Sequence, residues 1–135
     1  MNIRRLCCIT GLVFLLAACS EPPRSPEEIV TERAQARWDA VIDRDPESSY
    51  EYQTPGYREK VSVTDHAVRF SRRQITWTAA DVLGAECAED RCTVEIMIGY
   101  RADGAPGVLS GLEGSRPIEE TWILIENEWW YTDPR

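Results

Sequence analysis

Histidine and lysine are almost missing from this chain: His66 and Lys60 are the only ones among 135 residues. One imidazole leaves one possible base for a Ser-His-Asp set. It also cannot complete a tetrahedral zinc site without carboxylates. No Gly-rich phosphate loop and no metal motif occurs, so no cofactor is implied. No internal repeat is visible. A long apolar run is lacking as well. Leu6 to Ala18 makes a helix of only about 20 Å, short of the roughly 20 residues that a stable span requires. Positive charge is scarce, with 15 bases against 23 acids and a net charge of −8. This excludes nucleic acid as a partner and argues against adsorption to anionic lipid, since both call for basic surfaces.

The N-terminus is organised as an export signal. Arg4 and Arg5 open it, the apolar run follows, and small residues close it. Leu16-Ala17-Ala18-Cys19 resembles the lipobox of bacterial lipoproteins. The resemblance implies cleavage of residues 1–18 and acylation of Cys19, which becomes the lipidated first residue. Three acyl chains exceed the two signals needed for stable anchoring. Ser20 after the cysteine, with no Asp there, implies the outer membrane, facing the periplasm. The bilayer is then a partner through the acylated N-terminus. Residues 19–27 read as the lipidated Cys and a Pro-rich tether, extended and short. Residues 28–135 remain as one domain. Loss of Arg4 and Arg5 leaves 13 bases against 23 acids, a net −10.

Of five cysteines, Cys7 and Cys8 leave with the signal and Cys19 is lipidated. Cys87 and Cys92 remain, flanking a polar turn between strand-like runs. An oxidising periplasm favours a cross-hairpin disulfide, worth about 2 kcal/mol for so short a loop. Zinc is the competing reading and lacks further ligands, so no metal site is expected. The spacing is wider than that of redox-active pairs.

The periodicity changes once along the chain. Ser25 caps a helix with Pro26 at its first position and Glu28 three residues after the cap. Val30, Ala34, Trp38, Val41 and Ile42 form its apolar stripe, with Glu32, Arg33, Arg37, Asp39 and Arg44 opposite. The helix stops near Asp45-Pro46. Pro46 to Tyr52 predicts a short second helix. Ser62 to Arg72 predicts a third, with Val68 and Phe70 partly inward. Alternation then predicts strands from Ile75 to Ala79, from Cys92 to Arg101, from Ile118 to Ile125 and from Trp129 to Thr132, the last after a turn at 126–128. Residues 102–117, rich in Gly and Pro, read as a loop far longer than an ordinary hairpin connection. Helices followed by a strand meander make an α+β fold.

Arg33-Ala34, Arg37-Trp38, Tyr50-Glu51-Tyr52, Thr54-Pro55-Gly56-Tyr57-Arg58, Glu120-Thr121-Trp122 and Trp129-Trp130-Tyr131 together resemble small bacterial members of the nuclear transport factor 2-like superfamily. The resemblance spans residues 28–135. It implies N-terminal helices packed on a curved antiparallel sheet of about four strands, a cone-like roll around an apolar pocket. Trp77, Tyr100, Glu120, Trp122 and Trp130 are the candidate pocket residues. Members include isomerases, cyclases, dehydratases and binding or assembly modules, so fold does not decide activity. Glu120 shares strand parity with Ile118, Trp122 and Leu124, where desolvation would raise its pKa toward that of a general base. The plainer alternative pairs Glu120 with Arg69 or Arg101 at a pocket rim. Glu95 also sits within a strand. Asp39 and His66 are weaker catalytic candidates, and a lone His of this kind is more often surface or cap. The leading expectation is a non-catalytic periplasmic module that binds a protein or a small apolar ligand. The rival is a pocket enzyme with a carboxylate base. A homodimer through the sheet face is a third possibility.

Overall fold

Ser25 begins the first helix as its neighbours require. In the computed structural model, which describes residues 23–72, 75–102 and 111–133, its hydroxyl accepts the Glu28 N–H, and the Glu28 carboxylate accepts the Ser25 N–H in return. Helix α1 runs from Pro26 to Ile42. Val30, Ala34, Trp38 and Val41 are buried. So is Arg37, which the charge pattern had placed on the solvent side. It lies three residues after Ala34 and four before Val41, so helical spacing puts it on the inner stripe. Residues 1–22, with Cys19 and its lipobox, lie outside the described residues.

Helix α2 (Pro46–Tyr50) is capped by Asp45, whose carboxylate accepts from the Ser48 N–H and hydroxyl. Helix α3 (Pro55–Lys60) was not expected from the sequence. Pro55-Gly56 reads as a breaker, yet Pro sits at the first helical position, with Thr54 as the cap accepting from Tyr57 N–H. Helix α4 (Val63–Ser71) starts at Ser62. Phe70 is half-buried as expected, but Val68 points outward at 41% exposure.

The four strands β1 (Ile75–Ala88), β2 (Arg91–Ala102), β3 (Glu113–Ile125) and β4 (Glu128–Thr132) form one antiparallel meander in chain order. The α+β fold therefore stands, with helices on one face of a four-stranded sheet. β2 alternates as its sequence predicts, and Cys92, Val94, Ile96 and Ile98 are fully buried. Trp122 on β3 and Trp129 on β4 join them, with α1 covering this face.

β1 is longer than its alternation suggested. Its register shifts between Trp77 and Ala79 and again between Val82 and Gly84. Each bulge flips the side-chain parity. The core-facing positions therefore run Trp77, Ala80, Val82, Ala85 and Cys87, a series that no single period of two can trace. At the first bulge the chain packs close, and a Cβ on Gly99 would meet Thr78 Oγ1 at 2.8 Å. β3 starts earlier than expected, because Glu113 to Pro117 pair with Arg101 to Met97. The long loop is shorter by those residues. Residues 103–110 lie outside the described ones.

Both outer edges of the sheet have covers. The Gln35 side chain donates to Ala80 O at 3.0 Å and accepts from Val82 N–H at 3.1 Å, which satisfies two outward groups of β1. At the other edge Tyr131 N–H donates to Tyr52 O at 2.9 Å, and Gln53 bridges Tyr131 in parallel. Cys87 and Cys92 are direct ladder partners, joined by a disulfide with Cα atoms 4.0 Å apart.

Candidate functional site

Glu120 faces the core because β3 parity puts it between Ile118 and Trp122 and opposite Val94, which is fully buried. It is 4% exposed. The expected partner, Arg69 or Arg101, is not the one it takes. Arg37 Nη1 donates to Glu120 Oε1 at 2.7 Å, and Trp38 Nε1 donates to the same oxygen at 2.9 Å. Among the described residues, Oε2 has no hydrogen-bond partner. The Trp122 indole N–H faces the carboxylate without reaching full bonding geometry. Desolvation pushes the Glu120 pKa above its ordinary 4.5, and the Arg37 charge and the surrounding N–H groups only partly oppose it. Arg37 in turn stacks on Tyr131, 3.6 Å from the ring centroid.

His66 is neither a surface residue nor a cap. It is 8% exposed, with its ring close to those of Tyr50, Tyr57 and Phe70. Its Nε2 lies 3.2 Å from Ser49 Oγ and its Nδ1 lies 3.0 Å from Tyr57 Oη. The Ser49 hydroxyl donates to Pro46 O at 3.1 Å. In the tautomer that keeps this bond to Pro46 O, Ser49 Oγ accepts from Nε2–H. Nδ1 then accepts from the Tyr57 hydroxyl. A chain of donors thus runs Tyr57 to His66 to Ser49 to Pro46. Burial pushes the Tyr57 pKa up, and Asp133 adds to this while Arg69 opposes it. A protonated phenol is what the chain requires. In that tautomer the direction is opposite to nucleophilic catalysis, in which Ser would give its proton to the imidazole.

These two arrangements meet at one cavity of about 270 Å³ between α1, α2, α4 and the end of β4. Arg37 and Ser49 are buried within its lining, while Arg69 and Asp133 are exposed members of it. A second cavity, of about 300 Å³, lies under α4 and is lined by Trp77, Phe70, Val41 and Ile75.

The residues singled out from the sequence are dispersed. Trp77 is half-buried, edge-on to Trp38 at 5.8 Å, and lines the second cavity. Tyr100 pairs with Trp77 across the ladder and covers Gly114, where a Cβ would lie 2.8 Å from its hydroxyl. Trp122 is a fully buried core residue. Trp130 is buried beside Arg33 and Arg58, whose guanidinium carbons stand 5.7 and 4.6 Å from its ring. Asp39 is exposed and accepts from the Gln35 amide. Glu95 is exposed and pairs directly with Glu119. The sequence reading missed Arg37, Ser49 and Tyr57. Arg37 was legible from its helical spacing, whereas Ser49 and Tyr57 lie on short helices with little periodicity.

No protein-family model matches the sequence, and no curated protein matches it. Solved structures share its fold. A SEC-C motif containing protein from Rhodopseudomonas palustris matches with a TM-score of 0.55 at 19% identity, covering 79% of this chain and 76% of that one. A SEC-C motif containing protein from Psychrobacter arcticus matches with a TM-score of 0.55 at 15% identity, covering 84% of this chain and 63% of that one. This chain thus spans less than two thirds of the second protein. An NTF2-like transpeptidase structure from Campylobacter jejuni aligns with a TM-score of 0.45 at 10% identity, covering 74% of this chain and 94% of that one. At these identities the likeness to the two SEC-C motif containing proteins is one of fold, an α+β arrangement of helices on an antiparallel sheet.

Proposed function

We propose that this chain is a lipid-anchored protein of the bacterial envelope whose domain, a distant nuclear transport factor 2-like fold, binds a small ligand without transforming it. One observation carries the non-catalytic part. The groups best suited to proton transfer are already committed inside the protein, Glu120 to Arg37 and Trp38, and His66 to Tyr57 and Ser49. The cavity beside them offers hydrogen-bonding groups with no activated base among them. Its lining favours a polar ligand.

The rival reading, a pocket enzyme with Glu120 as its base, draws on the raised pKa of that group. Against it stands the sealing of the carboxyl, since a general base must come within hydrogen-bond reach of substrate.

Native mass spectrometry of the full chain, purified in detergent, tests the binding part. A small-molecule adduct is expected on the wild type and is expected to vanish in Tyr57→Trp, which fills the cavity. Release of a molecule whose mass differs from the one taken up would overturn the reading. The anchor is tested separately by labelling cells with a palmitate analogue. Label is expected on the wild type and absent from Cys19→Ala, and processing of that variant at the normal site would remove the lipobox reading.

A further inference from the structure

The cavity of about 270 Å³ has an uneven distribution of charge. Arg37 contributes a cation that is 6% exposed. Among the described residues, only its Nη1 meets an acceptor, and its Nε is buried without a partner. A guanidinium offers five N–H donors in a planar fork, so most of the donor capacity of Arg37 is unused by the protein. At the mouth stands Arg69, exposed and beside the Tyr57 hydroxyl. Val41, Phe70 and the Tyr131 ring supply apolar wall. Asp133 is the opposing charge, also exposed at the mouth.

We infer that this cavity takes the carboxylate of a small organic acid, with its carbon body against Val41, Phe70 and Tyr131 and its carboxyl between Arg37 and Arg69. Two points favour a carboxylate over other anions, and the volume limits the size of its carbon body. The Arg fork is planar and matches a planar acceptor with two oxygens. Arg37 already binds one carboxylate, Glu120, from its other side. The volume, a little under the roughly 300 Å³ at which small-molecule sites begin, limits the ligand to a small molecule such as benzoate. Arg37 is balanced by Glu120, and Arg69 stands at the mouth with Asp133 as the competing acid. Asp133 therefore weakens binding in this arrangement. Its removal should strengthen binding, a sign that simple loss of packing does not produce.

The inference rests on the binding reading, and the test separates the two. Isothermal titration calorimetry on the full chain in detergent compares benzoate, its neutral isostere benzamide, and inorganic phosphate. Benzoate should bind about tenfold tighter than benzamide, a difference of about 1.4 kcal/mol. Arg69→Gln should weaken benzoate about tenfold and leave benzamide unchanged. Asp133→Asn should tighten benzoate. Both changes are at exposed positions, so the fold is not at stake. Equal affinity for benzoate and benzamide, or no effect of Arg69→Gln, would overturn the carboxylate assignment while leaving a ligand-binding cavity. Phosphate binding as tightly as benzoate would overturn the specificity for a planar anion. No heat with any of the three, together with loss of the adduct seen by native mass spectrometry, would overturn both readings.

Discussion

At the scale of single residues, Arg37 connects the core to the cavity. One face of it neutralises Glu120, and another faces the space where a ligand fits. Buried pairs of this kind are costly to break from one side, because the remaining charge is left without compensation. Glu120→Ala should therefore destabilise the protein by about 3–5 kcal/mol, read from denaturant midpoints. Glu120→Gln should cost less, since its amide oxygen still accepts from Arg37. The pH dependence has an unusual sign. The folded pKa of Glu120 is raised above the ordinary 4.5, so the folded state holds this proton more tightly than the unfolded chain does. The contribution of Glu120 to stability is then fully present below 4.5 and is lost as pH rises through the raised folded value. Glu120→Gln resembles the protonated carboxyl and does not titrate, so the wild type should lose stability relative to Glu120→Gln as pH rises through the raised folded value. A wild type that instead gains on the variant as pH rises would contradict the assignment. The sequence showed Glu120 facing inward by parity, and that was correct. It did not show the partner, because Arg37 is 83 residues away and was grouped with Arg33 and the acids of α1 as a solvated face, although its helical spacing from Ala34 and Val41 points it inward.

Among the elements, the legible ones were those whose pattern is unbroken. α1 announced its cap, its first proline and its stripe, and β2 alternated over its whole length. β1 did not, because two bulges reverse parity within it. α3 did not, because Pro and Gly hide a helix start behind a turn signature. β3 began at residues that composition assigned to a loop. The β3–β4 hairpin offers a clean test of local chemistry. Glu126 and Asn127 carry φ of 51° and 67°, and Ile125 pairs with Glu128, so the connection is a two-residue turn of type I′. Asn tolerates that conformation, whereas Glu does not favour it. Glu126→Gly should raise stability by about 0.5–1 kcal/mol, measured by thermal or urea unfolding. An unchanged or lowered midpoint would show that the Glu126 side chain has a role its exposure does not suggest.

For the whole molecule, the described helices and sheet enclose one core, and the polar cavity lies at its border beside α2 and α4. The sequence indicated the layer arrangement but scattered the site residues. It ranked Trp77, Trp122 and Trp130 as pocket walls; Trp77 lines a cavity, whereas Trp122 is fully buried in the core. Large aromatics are informative about where apolar area is buried and much less about where a ligand sits. Trp122→Ala should therefore cost about 3–5 kcal/mol, seen as a large fall in melting temperature. Ligand affinity measured well below that temperature should persist.

The two covered edges of the sheet bear on a hazard of another kind. An open strand edge is a template on which a second chain can dock by main-chain pairing, the first step toward polymeric sheet. Gln35 acts as a stopper on β1, its amide occupying an outward carbonyl and an outward N–H as an incoming strand would. The Tyr52–Gln53 segment seals the opposite margin. Removing one side-chain amide should then alter colloidal behaviour more than folding. Gln35→Ala should keep a near-native melting temperature yet shift toward dimers and higher assemblies in size-exclusion chromatography as concentration rises. A variant that stays monomeric over the same range would mean that the β1 bulges alone keep neighbouring molecules apart.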